Sequence, residues 1–212
     1  VTRTTVHVVR HGEVYNPRKV LYGRLPGFRL SNAGVAMAEQ AASFLSDRDL
    51  THIVSSPLQR AQETAAPIAA KFGLQVQLDE RLIEASNAFE GLPVGGSDSV
   101  LMRPSSWWLY RNPLQPSWGE PYRQVSLRMY AAVLRARDLA RGHEAVCISH
   151  QLPIVCLRRY AEGQHLWHDP RKRQCSLASV TSLVFDGDRV LDVSYAEPAG
   201  STSNVIGYQS GA

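Results

Sequence analysis

The sequence predicts an α/β fold: a three-layer sandwich with a mostly parallel central sheet, helices on both faces, an antiparallel edge strand and an inserted cap. Three observations predict it. Short β-branched runs alternate with amphipathic segments, the order in which strand and helix follow one another around a parallel sheet. Two adjoining strand-like runs near the end are joined through Asp186-Gly187, the turn chemistry of a hairpin. Residues 92–124, rich in Pro, Gly and Trp, lose all periodicity, as an insertion over the sheet would.

Residues 4–9 (TTVHVV) read as a buried strand that stops at Arg10-His11-Gly12. A long loop rich in Gly, Pro and Arg runs from there to Leu30. Ser31 then offers an N-cap to a helix whose apolar positions Val35, Ala38, Ala42 and Leu45 recur at helical spacing. His52 to Ser55 is the next strand, with a polar Ser-Ser-Pro exit. The helix that starts near Leu58 turns Ala61, Ala65, Ile68 and Ala69 inward and stops at Gly73. Gln75 to Leu78 reads as a further strand. Beyond the insertion come a helix from about Val125 to Arg141, a strand over 145–149, a helix from about Leu152 to Ala161, and strands over 178–185 and 189–194. Residues 1–197 are expected to form one domain, followed by a disordered tail over 198–212.

The net charge of +4, from 23 Lys and Arg against 19 Asp and Glu, is spread along the chain, which argues against nucleic acid as a partner. All but three of those cations are arginine, whose planar fork suits phosphate. Cys147, Cys156 and Cys175 make neither a disulfide framework nor a metal knuckle, and point to a reduced, cytoplasmic setting. No apolar stretch approaches the ~18 residues that cross a bilayer, so no membrane partner is expected. The start at Val1 leaves a processed leader open, and a homodimer is compatible with a sequence that does not set the oligomeric state.

In open α/β sheets, ligands sit at the carboxyl ends of the strands. Three of those ends carry Arg10-His11, Ser55-Ser56 and Ser149-His150. A fixed cation beside an imidazole, with Gly12 letting the backbone bend around an anion, suits a phosphoryl group. Arg60 falls in the first turn of a helix, where the positive N-terminus disfavours a cation unless the two share an anion. Singly, these are a satisfied histidine and a solvated arginine; it is their convergence from distant segments that points to chemistry.

Val8-Val9-Arg10-His11-Gly12-Glu13, Leu30-Ser31-Asn32-Ala33-Gly34, Ser55-Ser56-Pro57-Leu58-Gln59-Arg60-Ala61, Arg81-Leu82-Ile83-Glu84 with Glu90-Gly91, and Ile148-Ser149-His150 together resemble the histidine phosphatase superfamily. The segments follow the family's order over roughly the first 160 residues. The resemblance implies an α/β sandwich with an inserted helical cap. It implies too a metal-independent phosphomonoester hydrolase, without cofactor, acting on a small phosphorylated metabolite through a phosphohistidine. His11 would carry the phosphoryl group, Arg10 and Arg60 would clamp its oxygens, His150 would complete the pocket, and Glu84 would protonate the leaving alcohol. Asn16 and Gln151 are carried as secondary phosphate contacts, although both depart from the family pattern. Asn16 arrives one residue early, Gln151 replaces a common glycine, and Val14 stands where a small hydroxyl residue often follows the acid.

Physical chemistry supports those roles. Phosphoryl transfer depends on positioning and on neutralising the equatorial oxygens, which two guanidinium groups and an imidazole can do. His11 must be neutral to attack, so some partner has to fix its tautomer. Glu84 needs a raised pKa, which burial would favour and neighbouring arginines oppose.

Other constellations carry less. On a strand His7 and His11 would lie about 13 Å apart at ~3.3 Å per residue, too far to share a metal. His165, His168, Asp169 and Cys175 could in principle ligate zinc, but read better as ordinary loop residues. Trp107, Trp108, Tyr110, Trp118 and Tyr122, among Arg103, Arg111 and Arg123, read as packing of the insertion in preference to a base-stacking surface. Two alternatives to the hydrolase remain: a phosphoglycerate mutase, and a non-catalytic binder of phosphorylated ligands.

Overall fold

The computed structural model describes residues 3–93 and 119–200. Within them β1 (Arg3–Arg10), β2 (Leu50–Ser55), β3 (Val76–Leu78), β4 (Glu144–Ser149), β5 (Val180–Asp186) and β6 (Arg189–Ala196) form one sheet in the order β3-β2-β4-β1-β5-β6. The first four positions are parallel, and β5 and β6 extend the sheet antiparallel beyond β1. With α1 (Asn32–Phe44), α2 (Gln59–Phe72), α3 (Tyr122–Leu139) and α4 (Gln151–Ala161), this is the mostly parallel sandwich that the sequence predicts. The expected cap over 92–124 falls largely, at 94–118, outside the described residues, as does the expected tail beyond residue 200. No helix among the described residues is long and apolar enough to cross a membrane.

Side chains alternate across a strand, so each inner strand feeds two cores. β1 sends Val6 and Val8 to a layer packed by Met129, Val133 and Ala136 of α3 and by Ile154 and Leu157 of α4. It sends Val9 to the opposite layer, where Ala41 and Leu45 of α1 meet Ala61, Ala65 and Ile68 of α2. Each fully buried Val, Leu or Ile contributes about 1.5–3 kcal/mol, so both layers hold the sheet. His7 is buried within the ladder, and both of its ring nitrogens are occupied, by Ser182 Oγ at 2.8 Å and Glu144 Oε2 at 2.7 Å.

Helix ends follow local chemistry. Ser31 caps α1, its Oγ accepting from Gly34 N–H at 3.0 Å, and Gly73 closes α2 in the left-handed region at φ 64°. α3 begins three residues earlier than its periodicity suggests, because Tyr122 is buried among Ala85, Val125, Leu152 and Cys156. Tertiary packing, not a capping side chain, sets that start. β3 is shorter than expected and pairs along one side only, with β2.

The register brings the chemistry together. Arg10 lies opposite Ser149, and Ser55 opposite Ile148. One residue further on, His11 N–H donates to Ser149 C=O at 3.1 Å and Ser56 N–H to Ile148 C=O at 2.9 Å. From neighbouring strands the chain then leaves to opposite faces, β1 toward α1 and β4 into α4. Such a divergence opens a crevice at the carboxyl ends of a sheet.

Candidate active site

Arg10, His11, Arg60, Glu84 and His150 all reach this crevice, and none is more than 1% exposed. The imidazoles of His11 and His150 stand with ring centroids 5.1 Å apart. The charges of Arg10 and Arg60 act on His11, His150 and Glu84 alike. Five groups from four well-separated parts of the sequence therefore share one buried volume.

His11 has its tautomer fixed by its own loop. Nδ1 lies 2.8 Å from Gly12 C=O, an oxygen that can only accept, so Nδ1 carries the proton and Nε2 the lone pair. Burial first, then the charges of Arg60 and Arg10, hold its pKa well below the usual imidazole range. The ring is neutral, with its lone pair at Nε2. His150 is likewise kept neutral by burial and by Arg60. Ser56 Oγ lies 2.8 Å from His150 Nε2 and accepts from Leu58 N–H at 3.4 Å. His150 Nδ1, like Arg60 Nε, is buried without a partner among the described residues. An Arg60 donor left this way suits an anion.

The arginines are held at fixed points. Arg10 Nη1 donates to Cys175 C=O and Arg60 Nη2 to Gly23 C=O, each at 2.6 Å. The Arg60 guanidinium lies 4.8 Å from the ring centre of Tyr22, whose ring also meets the edge of His11 at 6.3 Å. Tyr22 is buried against Phe28 and walls the pocket.

Glu84 sits on a stretch in which four consecutive carbonyls are each held by a side chain. Arg128 Nη1 donates to Arg81 C=O at 2.6 Å and to Ile83 C=O at 2.7 Å; Ser149 Oγ donates to Leu82 C=O, and Arg24 Nε to Glu84 C=O, both at 2.7 Å. Glu120 bridges the two arginines, accepting from Arg24 Nη2 at 2.8 Å and from Arg128 Nε at 2.8 Å. Among the described residues the carboxyl itself accepts only Ala85 N–H, at 2.8 Å. Burial outweighs that bond and the nearby arginines, and pushes its pKa up to about 7.

Two glycines let the loop after His11 meet α1. A Cβ on Gly12 would stand 2.4 Å from Gly34 O, and one on Gly34 would stand 2.0 Å from Glu13 O. Both obstacles are backbone, so neither can yield cheaply. Glu13 ties the same junction, with Oε1 accepting from Ser31 Oγ at 2.6 Å. Gly34→Ala is expected to destabilise the fold by about 1–3 kcal/mol in urea unfolding, and a midpoint equal to wild type would contradict this contact.

The two secondary contacts fare differently from the five. Asn16 has its amide committed to its own loop, Nδ2 to Val20 C=O at 2.8 Å and Oδ1 from Val20 N–H at 3.2 Å, which makes it a brace of the turn. Gln151 opens α4, half-buried beside His150. His168 has both nitrogens occupied, by Leu166 C=O and Arg173 Nε, and among the described residues no three His, Cys, Asp or Glu side chains converge as metal ligands do. Sequence reasoning did not find the Gly12 carbonyl, Tyr22, or the Arg24–Glu120–Arg128 bridge. Only Ser56 left a signal, in the polar exit of β2.

Comparison with known proteins bears on this geometry. A family model described as the histidine phosphatase superfamily (branch 1) matches residues 6–197. The uncharacterized protein Rv0525 of Mycobacterium tuberculosis is 59% identical over 196 residues, covering 92% of this chain and 97% of that one. A protein of Escherichia coli O1:K1 / APEC named as a probable phosphoglycerate mutase, GpmB, is 30% identical over 185 residues, with 82% and 83% covered. The solved mycobacterial glucosyl-3-phosphoglycerate phosphatase Rv2419c superposes with a TM-score of 0.74 at 24% identity, over 94% of this chain and all of that one, a likeness of fold.

Proposed function

The chain belongs to the histidine phosphatase superfamily, branch 1, and from that premise we propose that it is a phosphomonoesterase of small phosphorylated metabolites working through a phosphohistidine on His11. One observation carries the reading: a neutral imidazole with Nε2 unprotonated lies in a buried crevice with two arginines, a second imidazole and a carboxyl that is protonated near neutrality.

In this reading Arg10, Arg60 and His150 hold the phosphoryl oxygens, and the charge of the two arginines is complementary to that of the transition state. His11 Nε2 attacks phosphorus as the ester oxygen leaves, taking its proton from Glu84. The resulting Glu84 carboxylate then accepts a proton from the water that attacks the phosphohistidine, releasing phosphate and restoring both groups. A carboxyl with a pKa of about 7 suits both halves of the cycle.

Rapid mixing with p-nitrophenyl phosphate, followed by alkaline quench and mass spectrometry, tests the intermediate. A phosphoryl group on His11 that forms and decays at the turnover rate is the expected result. Label that forms without decaying would favour a binder or a mutase, and the 30% identical relative named as a mutase gives that second reading a specific basis. Formation of 2-phosphoglycerate from 3-phosphoglycerate with a bisphosphate primer, faster than phosphate release, would decide for it.

A further inference from the structure

Thr64 has no part in the reaction scheme above, yet its hydroxyl joins two arms of the crevice. It lies one turn beyond Arg60 on α2 and is fully buried. Oγ1 donates to Arg60 C=O at 2.7 Å and accepts from Gly12 N–H at 3.1 Å. A carbonyl can only accept and an amide N–H can only donate, so the single hydroxyl proton is committed to α2 and a lone pair to Gly12. The bond to the preceding turn is an ordinary local one for a helical threonine. The other reaches 52 residues back along the chain, to the residue after His11.

What Thr64 holds there is a hinge. The N–H groups of His11 and Gly12 leave in different directions, the first to Ser149 C=O on β4 and the second to Thr64. On the other side of Gly12, Glu13 C=O accepts from Ser31 N–H at 2.9 Å and Glu13 Oε1 from Ser31 Oγ at 2.6 Å. Gly12 thus stands between two pinned points, and a glycine restricts its own dihedrals less than any other residue. A larger residue, which would stiffen the turn, is excluded because its Cβ would stand 2.4 Å from Gly34 O. The direction of the Gly12 carbonyl therefore depends on the hydrogen bonds that flank it. That carbonyl accepts from His11 Nδ1 at 2.8 Å and so decides which ring nitrogen keeps its lone pair.

We propose that Thr64 is a positioning residue for His11: by holding Gly12 N–H, its hydroxyl aims the carbonyl that selects the ring tautomer. Without that anchor the carbonyl is free to turn from Nδ1, and the ring proton redistributes to Nε2. An imidazole protonated at Nε2 has no electron pair there to offer phosphorus. The consequence for catalysis rests on the reading of His11 as the nucleophile; the choice of tautomer does not.

Thr64→Val keeps the shape of the side chain and removes the hydroxyl. Long-range proton–nitrogen correlation of the labelled histidine rings reads the tautomer directly, the His11 signals being those lost in His11→Ala. Wild type is expected to show Nδ1 protonated and Nε2 bare, whereas in Thr64→Val the two nitrogens should move toward a common averaged shift. Phosphohistidine formation from p-nitrophenyl phosphate should slow roughly 10- to 100-fold, with the loss in kcat and not in KM, and Thr64→Ser should recover most of both. Lost stability alone is controlled at Thr4, a buried threonine whose Oγ1 accepts from Gly142 N–H at 3.0 Å at the far end of β1. Thr4→Val should lower the melting temperature comparably and leave tautomer and rate as in wild type. Where valine at position 64 prevents folding, Thr64→Ala carries the same expectations. A wild-type tautomer in a folded variant without the hydroxyl, or equal losses in the Thr4 and Thr64 variants, would overturn the proposal. A wild type that forms no phosphohistidine would remove the phosphatase reading alone, because the ring nitrogens still report on Thr64.

Discussion

Alanine at position 11 is expected to abolish hydrolysis of p-nitrophenyl phosphate, by at least about 10⁴-fold in kcat, while EDTA leaves the wild-type rate unchanged. Among the described residues of the crevice no second nucleophile stands ready. His150 has Nε2 engaged by Ser56, and burial keeps the thiols protonated, with Cys147 and Cys156 pushed up to about 12. The variant should fold, because the contacts that extend the ladder past β1 are made by main-chain groups, including His11 N–H to Ser149 C=O. Circular dichroism and a melting curve would establish this alongside the assay. A folded His11→Ala protein that turns over at the wild-type rate would end the phosphohistidine mechanism.

Glu84→Gln should have the next largest effect, and its size should depend on the leaving group. An alkyl phosphate needs its departing oxygen protonated, so the loss there should be roughly 10²- to 10⁴-fold. p-Nitrophenolate leaves without a proton, and formation of the intermediate from its ester should suffer far less. Wild-type activity on alkyl phosphates should fall as pH rises through about 7, the pKa of the buried acid, and the glutamine variant should lack this limb.

The same substitution should stabilise the protein at alkaline pH. The folded-state pKa of Glu84 is raised, from 4.5 to about 7, so its contribution to stability is complete below about pH 4.5 and is lost as pH rises toward 7. At pH 8 the buried carboxylate opposes folding by about 3 kcal/mol. Glutamine carries no charge and keeps an oxygen for Ala85 N–H, so Glu84→Gln should resist urea better than wild type at pH 8 and lose that advantage near pH 4. A wild-type protein that is the more stable at pH 8 would show that the carboxyl titrates normally. The gain in stability with the loss of activity would mark Glu84 as a group whose placement favours chemistry over folding.

The parts of the fold legible in the sequence are those determined by local chemistry. The β-branched run of β1, the Ser31 cap, Gly73 at the close of α2, and the Asp186-Gly187 hairpin turn each act over a few residues, and each appears where it was read. The start of α3 was less legible, because burial of Tyr122 against distant residues extends the helix beyond its visible period. In the pocket, Arg10, His11 and His150 stand at strand ends, but Arg60 in the first turn of α2 and Glu84 beyond β3 could be named with them only through the resemblance of their motifs to the family. What orients them could not. The Gly12 carbonyl is main chain, and every residue has one. Asn16 could serve phosphate or backbone equally well until the loop to Val20 closes on it. Arg24, Glu120 and Arg128 meet only after the sheet has brought three remote segments together. The balance between burial and arginine charge at Glu84 is likewise a property of the folded volume, which resolves in favour of burial.

The bond from His11 Nδ1 to the Gly12 carbonyl would bear on the lifetime of any adduct on the opposite nitrogen. An amide oxygen is too weak a base to take the ring proton, so an imidazole substituted at Nε2 would stay an imidazolium. Cleavage of an N–P bond there would then expel neutral imidazole in place of an imidazolate anion. Such an adduct would thereby be kept labile by a peptide group that itself never ionises.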